Sequence, residues 1–282
     1  MNGRERGMAL ISVLLVMSLA LLITAGLLRS HRLLVQSTAQ QLHGLQLRQQ
    51  AVAAEAWALQ RLQCAVRNRQ TSAELIRDWP RSIAGFDHDD AATVIEIEDL
   101  AGRFNLNALL RQGQIDPVTL ERWARLLTLL DLPPLPLNQV GELRDLSQLR
   151  LLPGIDRDVL TRLEPWAAIL PPEAALNINA APALLLRALD IPGATAEALV
   201  RQRSTTPWAS VQGFTRDPLL DGLGLSSHGL GIDSRWFRLT VRTSRGSSAL
   251  VLSTDVERDA KTHQLNVRQR RLLPSSDHEI VR

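Results

Sequence analysis

The densest group of acidic side chains in the sequence is formed by Asp87, His88, Asp89 and Asp90. Carboxylate oxygens grouped in this way are ligands of hard cations such as Ca²⁺. The spacing of these residues differs from that of an EF-hand loop, where acidic ligands alternate with other residues. The favoured interpretation is therefore a solvated acidic loop, and a cation site is the alternative.

Sequence patterns that support catalysis are missing. The chain has no nucleophile elbow, P-loop, HExxH zinc motif or Rossmann fingerprint, and its six histidines are scattered. Cys64 is the only cysteine, which excludes an intramolecular disulfide and a cysteine-cluster zinc site. We expect Cys64 to be a packing residue, and the sequence predicts a protein that is not an enzyme.

Two proline-glycine hinges, Leu152–Asp156 and Ile191–Thr195, precede predicted helices and are similar to helix-hairpin-helix or SAM-like units. DNA-binding hairpins use two glycines, so that backbone amides can approach a phosphate closely. The position of the second glycine holds Asp156 in one hinge and Thr195 in the other. A carboxylate repels phosphate and a β-branched side chain hinders close approach, so a structural hinge is favoured. The predicted helices are 158–163 and 196–203.

Length and charge limit the possible classes of protein. At 282 residues the chain is long enough for a membrane anchor and two modest folded units. The formal net charge is only +3, with 32 basic and 29 acidic side chains. A nucleic-acid-binding surface needs basic residues concentrated on one face, so the charge balance predicts no nucleic-acid partner.

Residues Met8 to Leu28 form an uncharged, predominantly apolar run of 21 residues. As a helix the run would be roughly 30 Å long, enough to cross a bilayer. A secretory signal peptide would have a shorter apolar region followed by a small-residue cleavage site. Arginines flank the run on both sides, so the positive charges do not decide its orientation. We expect a retained, single membrane-spanning segment.

The segment Arg6-Gly7-Met8-Ala9-Leu10 resembles a prepilin-type leader, in which a short basic segment and a glycine precede the apolar helix. The resemblance implies cleavage between Gly7 and Met8 on the cytoplasmic side of the inner membrane, with the remainder of the chain in the periplasm. Most such subunits carry glutamate at the fifth mature position, where this chain has Ser12. A serine cannot neutralise the terminal amine of a neighbouring subunit.

A continuous helix from Met8 to Val66 is predicted, because no proline occurs before Pro80. Its length would be roughly 88 Å. Apolar residues at three- and four-residue steps predict the stripe that packs on a folded domain, and Gln49 and Gln63 weaken that stripe. The predicted stripe consists of Leu42, Leu45, Val52, Ala56, Leu59 and Val66.

Beyond this helix, the alternating residues Thr93 to Glu98 predict a strand. Asn107 and Asp116 are predicted N-caps, the latter followed by Pro117 at the first helical position. Residues 133–136 predict an extended connector, since three of the four are proline. The pair Asn177 and Asn179 is interpreted as structural, because asparagine bonds readily to nearby backbone.

After Asp233 the apolar residues alternate, which predicts an antiparallel meander. Phe237, Leu239 and Val241 would lie on one face, with Arg238 and Arg242 on the other. A turn at 244–247 and further strands at 250–256 and 265–273 complete the meander. We expect the Thr93 strand to join this sheet, which makes 104–217 an insertion.

The combined pattern resembles the type II secretion system minor pseudopilin K family (general secretion pathway protein K). The resemblance covers nearly the whole chain and depends on the order of several short motifs. These are Arg6 to Leu10, Gly102-Arg103-Phe104-Asn105-Leu106-Asn107, Glu142-Leu143, Leu151-Leu152-Pro153-Gly154-Ile155, and Leu176-Asn177-Ile178-Asn179-Ala180-Ala181-Pro182.

The resemblance implies an α+β pseudopilin fold, with a long N-terminal helix packed on a small antiparallel sheet and an inserted all-α domain of SAM-like or helix-hairpin-helix units. The expected segments are a leader (1–7), a transmembrane segment (8–28), a periplasmic helix and first scaffold part (29–103), the helical insert (104–217) and C-terminal strands (218–282). The resemblance also implies bound calcium as a possibility, without assigning its ligands.

The function implied by the resemblance is that of a tip subunit of the pseudopilus, which helps to initiate its assembly for export of folded proteins across the outer membrane. Ser12 fits this position, since the family lacks the usual glutamate. Expected partners are the I and J minor pseudopilins, an H-type subunit, the prepilin peptidase, which would also leave an N-methylated terminus, and the inner-membrane secretion platform. A membrane-tethered DNA-uptake protein is the alternative.

Overall fold

The computed structural model describes residues 3–68, 70, 72–80, 91–111, 113–135, 141–152, 154–246 and 248–273. The predicted acidic cluster at Asp87–Asp90 lies outside the described residues. The α-helices are α1 Gly3–Arg67, α2 Ser72–Arg77, α3 Pro117–Leu129, α4 Arg157–Leu163, α5 Ala183–Ala188, α6 Gly193–Thr205 and α7 Val211–Thr215. The strands are β1 Ala91–Asp99, β2 Phe104–Asn105, β3 Leu110–Arg111, β4 Gln114–Ile115, β5 Ala167–Ala168, β6 Leu176–Asn177, β7 Leu230–Gly231, β8 Trp236–Arg245, β9 Ser248–Arg258 and β10 Leu265–Leu273.

Helix α1 contains 65 residues and continues without interruption from the apolar run into the folded part of the chain. The prediction of one continuous helix ending near Val66 is confirmed. From Val13 to Gln46 every side chain of α1 is exposed, and Leu47 is the first buried one. The helix therefore packs on the folded domain only along its last six turns.

The face of α1 that packs on the sheet is not the predicted stripe. Leu42, Leu45 and Val52 are 50% or more exposed, so the prediction is wrong for these residues, whereas Leu59 and Val66 of the predicted stripe are partly buried against the core shared with the sheet. The packed face is rich in alanine, whose small side chain lets the helix axis approach the sheet closely. The buried residues of this face are Leu47, Ala51, Ala54, Glu55, Ala58, Leu62 and Ala65.

A four-stranded antiparallel sheet packs against α1, with the strand order β1-β8-β9-β10. Strand β1 pairs with β8 along its whole length, from Ala91 opposite Arg245 to Asp99 opposite Phe237. The predicted meander and its pairing with the strand at Thr93 are therefore confirmed. Two strands distant in sequence become neighbours because the chain between them forms a separate unit.

The two faces of the sheet differ as alternation predicts. Phe237, Leu239 and Val241 are buried in the core shared with α1. On the opposite face Arg242 forms an ion pair with Glu96 at 2.5 Å. Arg238 pairs with Asp255 at 2.7 Å, and their side chains are 16% and 19% exposed, respectively. The opposite face is thus a surface of ion pairs rather than a second hydrophobic core.

The insert between β1 and β8 has its own hydrophobic core, which includes the fully buried Trp123, Phe214 and Leu163. The predicted all-α character is only partly correct, because the pairs β2–β5, β3–β4 and β6–β7 lie within the insert. Leu220 and Leu230, assigned from the sequence to the C-terminal strands, pack in this core, and β8 begins at Trp236.

Helix starts in the insert follow its polar residues. Asp116 caps α3, with Pro117 at the first helical position, as predicted. The predicted N-cap at Asn107 is wrong, since a short 3₁₀ helix at Leu106–Leu109 is capped by Asn105 instead. The connector at 132–135 has no regular structure, and Pro136 lies outside the described residues.

The two proline-glycine hinges differ in conformation. Gly154 adopts a left-handed φ of 84° before α4, whose N-cap is Asp156. Gly193 is the first residue of α6, with Pro192 as the N-cap residue, and Thr195 is already helical. The side chain of Asp156 accepts a hydrogen bond from the Val159 amide, so this carboxylate is occupied by the helix start.

Candidate assembly surface

The N-terminal half of α1 presents an apolar surface that contacts no other part of the described chain. The exposed large side chains from Val13 to Val35 are mostly leucine, valine and isoleucine. The helix has a mean hydropathy of 2.1 in its most apolar window, and it alone among the described helices is long and apolar enough to cross a membrane. This agrees with a single-pass N-terminal anchor.

A second apolar surface lies on α1 above the anchor, on the side facing away from the sheet. We name this surface, formed by Leu42, Leu45 and Val52, the outer stripe. At 3.6 residues per turn, these side chains point about 140° away from the buried alanines. Further along the same side of the helix, Gln63 bonds to the His263 carbonyl and the Leu265 amide, so this side is free of the sheet only over Leu42 to Val52. The outer stripe is a row of exposed apolar side chains on one helix face, interrupted by Gln49, and such a row is a candidate contact surface for another helix.

The position of α1 on the sheet is set by a buried carboxylate. Glu55 is 2% exposed, and its Oε1 accepts hydrogen bonds from the Thr254 hydroxyl at 2.6 Å and from Arg270 Nε at 2.7 Å. A buried charge needs such partners, and directional bonds fix its location. Glu55 therefore joins the helix to strands β9 and β10 and determines which side of α1 faces outward.

The insert is joined to the sheet by a buried cluster of Asp99, Asn177 and Ser234. The Asn177 amide donates to the Asp99 carboxylate at 3.1 Å and to the Ser234 hydroxyl at 2.5 Å. The Ser234 hydroxyl in turn donates to Asp99. The three residues lie at the end of β1, in β6 and just before β8, so the cluster closes the base of the insert.

Next to this cluster, Gly102 lies against the backbone of Ala180. A Cβ atom at Gly102 would meet the carbonyl carbon, carbonyl oxygen and Cβ of Ala180 at 3.0 Å each. Any larger side chain would push the two segments apart. The glycine is therefore required for close approach, and it lies in the Gly102 to Asn107 motif that supported the family resemblance.

The asparagines of that motif crosslink distant loops. Asn105 accepts from the Leu170 amide at 3.1 Å and donates to the Pro171 carbonyl at 2.7 Å. Asn107 bonds to both the amide and the carbonyl of Leu143, at 2.8 and 2.9 Å. Both side chains are buried and satisfied, which explains why amides rather than apolar residues occupy these core positions.

Asn179 makes the corresponding contacts at the other side of the insert. Its side chain pairs with both the amide and the carbonyl of Trp208, at 3.0 and 2.9 Å. Its own amide donates to Asn177 at 2.9 Å. The prediction that Asn177 and Asn179 are structural residues is confirmed. Arg203 donates to the carbonyls of Ile178 and Ala181, and burial lowers its pKa to about 10.

Ion pairs connect the outer face of the sheet to the insert. Asp255 receives both Arg238, at 2.7 Å, and Arg271, at 3.4 Å, and Arg271 also reaches Asp145 of the insert at 2.8 Å. Burial alone would raise the pKa of Asp145. Hydrogen bonds from Ser147 and the charge of Arg271 outweigh burial and hold that pKa below its ordinary value.

A further polar site fixes the last loop of the insert. His228 Nε2 lies 2.8 Å from Asp116, and the buried Arg122 donates to the carbonyls of His228 and Ser226. Burial tends to raise the pKa of Asp116, but hydrogen bonds from Thr119 and His228 lower it overall. These contacts are bonds within the insert, and they account for the polar residues without invoking a ligand.

The residues singled out in the sequence have different outcomes. Gly7 and Met8 lie within the backbone of α1, and the side chains up to Ser12 are outside the described part. Cys64 is exposed, so the prediction that it is a packing residue is wrong. Among the described residues, no group of three or more His, Cys, Asp or Glu side chains could hold a metal ion, so no calcium site is assigned to them.

Several important residues were missed by the sequence reasoning. Glu55 is the first carboxylate after Glu5 and lies among the alanines of α1, which was an available signal for a buried pairing partner. Asp99 and Ser234 gave no such signal. Their partners are distant in sequence and become neighbours only when β1 pairs with β8.

Comparison with known proteins is consistent with this arrangement. The sequence model of the family described as type II secretion system (T2SS), protein K matches residues 176–233. Type II secretion system protein K of Pseudomonas aeruginosa is 29% identical over 301 residues, covering 92% of this chain and 90% of the relative. The Klebsiella pneumoniae protein of the same name is 29% identical over 266 residues, covering 78% and 82%.

The fold is also similar to that of a solved structure. A chain in the crystal structure of the GspK-GspI-GspJ complex from the enterotoxigenic Escherichia coli type 2 secretion system superposes with a TM-score of 0.71. The match covers 84% of this chain and 99% of that chain, at 20% identity, and shows a shared fold. Together, the family-model match over residues 176–233 and the nearly full-length relatives confirm that this chain is similar to the type II secretion system protein K family.

Proposed function

We propose that this chain is a minor pseudopilin of a type II protein secretion system. The observation that carries the proposal is α1, which exposes an apolar anchor and, above it, the outer stripe, while its opposite side is fixed to the sheet. A subunit that leaves the membrane to enter a fibre needs both surfaces. The anchor serves in the bilayer, and the anchor together with the outer stripe packs against neighbouring helices in the fibre.

The proposed partners are other minor pseudopilins of the I and J types. Support comes from the shared fold with a chain of the GspK-GspI-GspJ complex. An H-type subunit, the prepilin peptidase and the inner-membrane secretion platform follow from the same family function. The proposed location is the inner membrane, with a single span and the bulk of the chain in the periplasm.

Within the fibre, the proposed position is the tip, from which assembly is initiated. Two features support it. Ser12 stands where most such subunits have a glutamate, so the chain has no carboxylate there for the terminal amine of another subunit. The insert, which we interpret as a set of SAM-like helical units, adds a second hydrophobic core beside the sheet. A unit of that size would obstruct further subunits above it.

Binding to I and J pseudopilins is expected to depend on the outer stripe. Val52→Arg places a charge at the upper end of the outer stripe on a side chain that is 50% exposed, so the chain should still fold. Burying an unpaired charge in an interface is costly, and we expect affinity for the partners to fall about tenfold or more. Co-purification and titration of the co-expressed subunits measure the effect.

Leu219→Arg is the matched control, because Leu219 is 44% exposed and lies in the insert, away from α1. It should leave affinity unchanged, and both variants should have the melting temperature of the wild type. If Val52→Arg and Leu219→Arg bind the partners equally well, the outer stripe is not the assembly surface.

Processing of the leader is expected to require Gly7. Intact-mass measurement of the protein from cells that contain the prepilin peptidase should give a chain starting at Met8, with a methylated amine. Gly7→Val should leave residues 1–7 attached and should block secretion. A start near Leu27 would show a conventional signal peptide instead. Normal secretion by an uncleaved Gly7→Val protein would contradict the proposed requirement for processing.

A further inference from the structure

A basic patch lies immediately after the apolar anchor on α1. Arg29 and Arg32 are exposed and lie on the same side of the helix, and we name them the juxtamembrane cations. No carboxylate in the described part of the chain is paired with either of them. Arg238 and Arg271 of the sheet, by contrast, are held by acidic partners.

The sequence around this patch is devoid of negative charge. No aspartate or glutamate occurs between Glu5 and Glu55. Glu55 is buried, bonded to Thr254 and Arg270, and it lies roughly 35 Å further along the helix from Arg32. The juxtamembrane cations therefore have no counter-charge within the described part of the chain, which leaves them available to an anionic partner.

The continuous helix fixes the depth of these cations relative to the anchor. With 1.5 Å per residue, Arg29 lies about 1.5 Å and Arg32 about 6 Å beyond Leu28, the end of the apolar run. The polar headgroup layer on each side of a bilayer is roughly 5 to 8 Å thick. Both guanidinium groups are therefore within reach of lipid phosphates when the run spans the membrane.

Apolar residues continue directly after the cations. Leu33, Leu34 and Val35 are 59%, 63% and 55% exposed. At 1.5 Å per residue these side chains lie about 7.5 to 10.5 Å beyond Leu28, at the outer edge of the headgroup layer, while the arginines lie within that layer. Neither a purely aqueous surface nor a nucleic-acid-binding surface would need the three apolar side chains.

We propose that the juxtamembrane cations bind the phosphates of anionic phospholipids, such as phosphatidylglycerol, in the outer leaflet of the inner membrane. The proposal rests on the membrane topology of the proposed function. The bound lipids hold Arg29 and Arg32 at the headgroup level and keep the anchor at a fixed depth until the subunit is extracted. Extraction then requires exchange of these phosphates for other counter-charges.

Native mass spectrometry of the full chain in detergent micelles tests this inference. The wild type is mixed with phosphatidylglycerol or with zwitterionic phosphatidylethanolamine, and the fraction that retains lipid is recorded. We expect phosphatidylglycerol to be retained at least about fivefold more than phosphatidylethanolamine. The double variant R29Q/R32Q should lose this preference. Arg48→Gln is the matched control, since Arg48 is exposed on the same helix about 30 Å beyond Leu28.

Four outcomes would overturn the proposal. One is equal retention of the two lipids by the wild type, and another is equal loss of preference in Arg48→Gln. The third is displacement of phosphatidylglycerol by millimolar glycerol 3-phosphate, which would indicate a site for free phosphate. The fourth is retention of duplex DNA in place of lipid. Partner co-purification is measured on the same R29Q/R32Q sample, so loss of lipid preference with intact assembly separates this inference from the proposed function.

Discussion

Asn177→Ala is expected to destabilise the chain by about 2 to 4 kcal/mol. The substitution removes the amide that bonds to Asp99 and Ser234, and it also removes the oxygen that accepts from the Asn179 amide. These groups are buried or half-buried, so water cannot replace the lost partner without opening the structure. The loss of unfolding free energy is measured by guanidinium denaturation of the purified chain in mild detergent.

Asn266→Ala serves as the control for this substitution, because Asn266 is an exposed residue of β10. It should change the unfolding free energy by less than about 0.5 kcal/mol. Hydrogen exchange adds a local measurement: in Asn177→Ala the amides of Ala101 and Asn179 should exchange faster than in the control. Equal stability of the two variants would show that the cluster does not hold the insert to the sheet.

Arg270→Ala is expected to lower the free energy of unfolding by about 2 to 3 kcal/mol, although the side chain of Arg270 is 54% exposed. This loss of stability arises at Glu55. Of the two hydrogen bonds to its buried carboxylate described above, only the one from Thr254 would remain. Solvent partly screens the ion pair of a half-exposed arginine, so we expect a smaller loss of unfolding free energy than for a fully buried ion pair.

The second substitution Glu55→Gln distinguishes a charge effect from a packing effect. Glutamine keeps the shape and accepts the Thr254 hydrogen bond, so in the Arg270→Ala background it should restore at least about 1 kcal/mol. Arg268→Ala is the control, since Arg268 is 64% exposed and lies 3.5 Å from its partner Glu257. If Arg268→Ala and Arg270→Ala have the same unfolding free energy, the buried carboxylate does not depend on Arg270.

The sheet could be predicted from sequence because its signal is local alternation. Leu239 and Val241 alternate with Arg238 and Arg242, and each strand carries that pattern by itself. The pairing of β1 with the C-terminal strands could be anticipated, because a strand that is isolated in the sequence must form its backbone hydrogen bonds with the edge of a sheet. The helix start at Asp116 was likewise local, since a cap and its amide are three residues apart.

The packed face of α1 could not be predicted in the same way. Leucine and valine have larger hydrophobic surfaces than alanine, so a periodicity argument selects Leu45 and Val52. The sheet instead packs against Ala51 and Ala58. The opposing surface is already filled by Leu239 and Leu252, so small side chains that let the helix approach closely make more contacts than larger ones would. The larger residues are left for another partner.

Buried amides were predicted only in general terms. Asn177 and Asn179 were interpreted as structural, which is correct, but Asn107 was assigned to a helix cap that Asn105 provides. The distinction depends on Leu143 and Leu170, whose positions follow from the tertiary fold and not from neighbouring sequence. Short-range patterns identify a residue that must bond to backbone, but they do not identify which backbone.

The polar contacts between α1 and the sheet also set a mechanical property of the subunit. Leu47, Glu55 and Gln63 follow one another at eight-residue intervals, roughly 12 Å apart, and each bonds to a strand or hairpin residue. Because α1 runs along the strands, a force on the helix axis loads all three contacts in shear at once. Sliding by one helical turn would break these contacts together, so they resist displacement of α1 along the sheet.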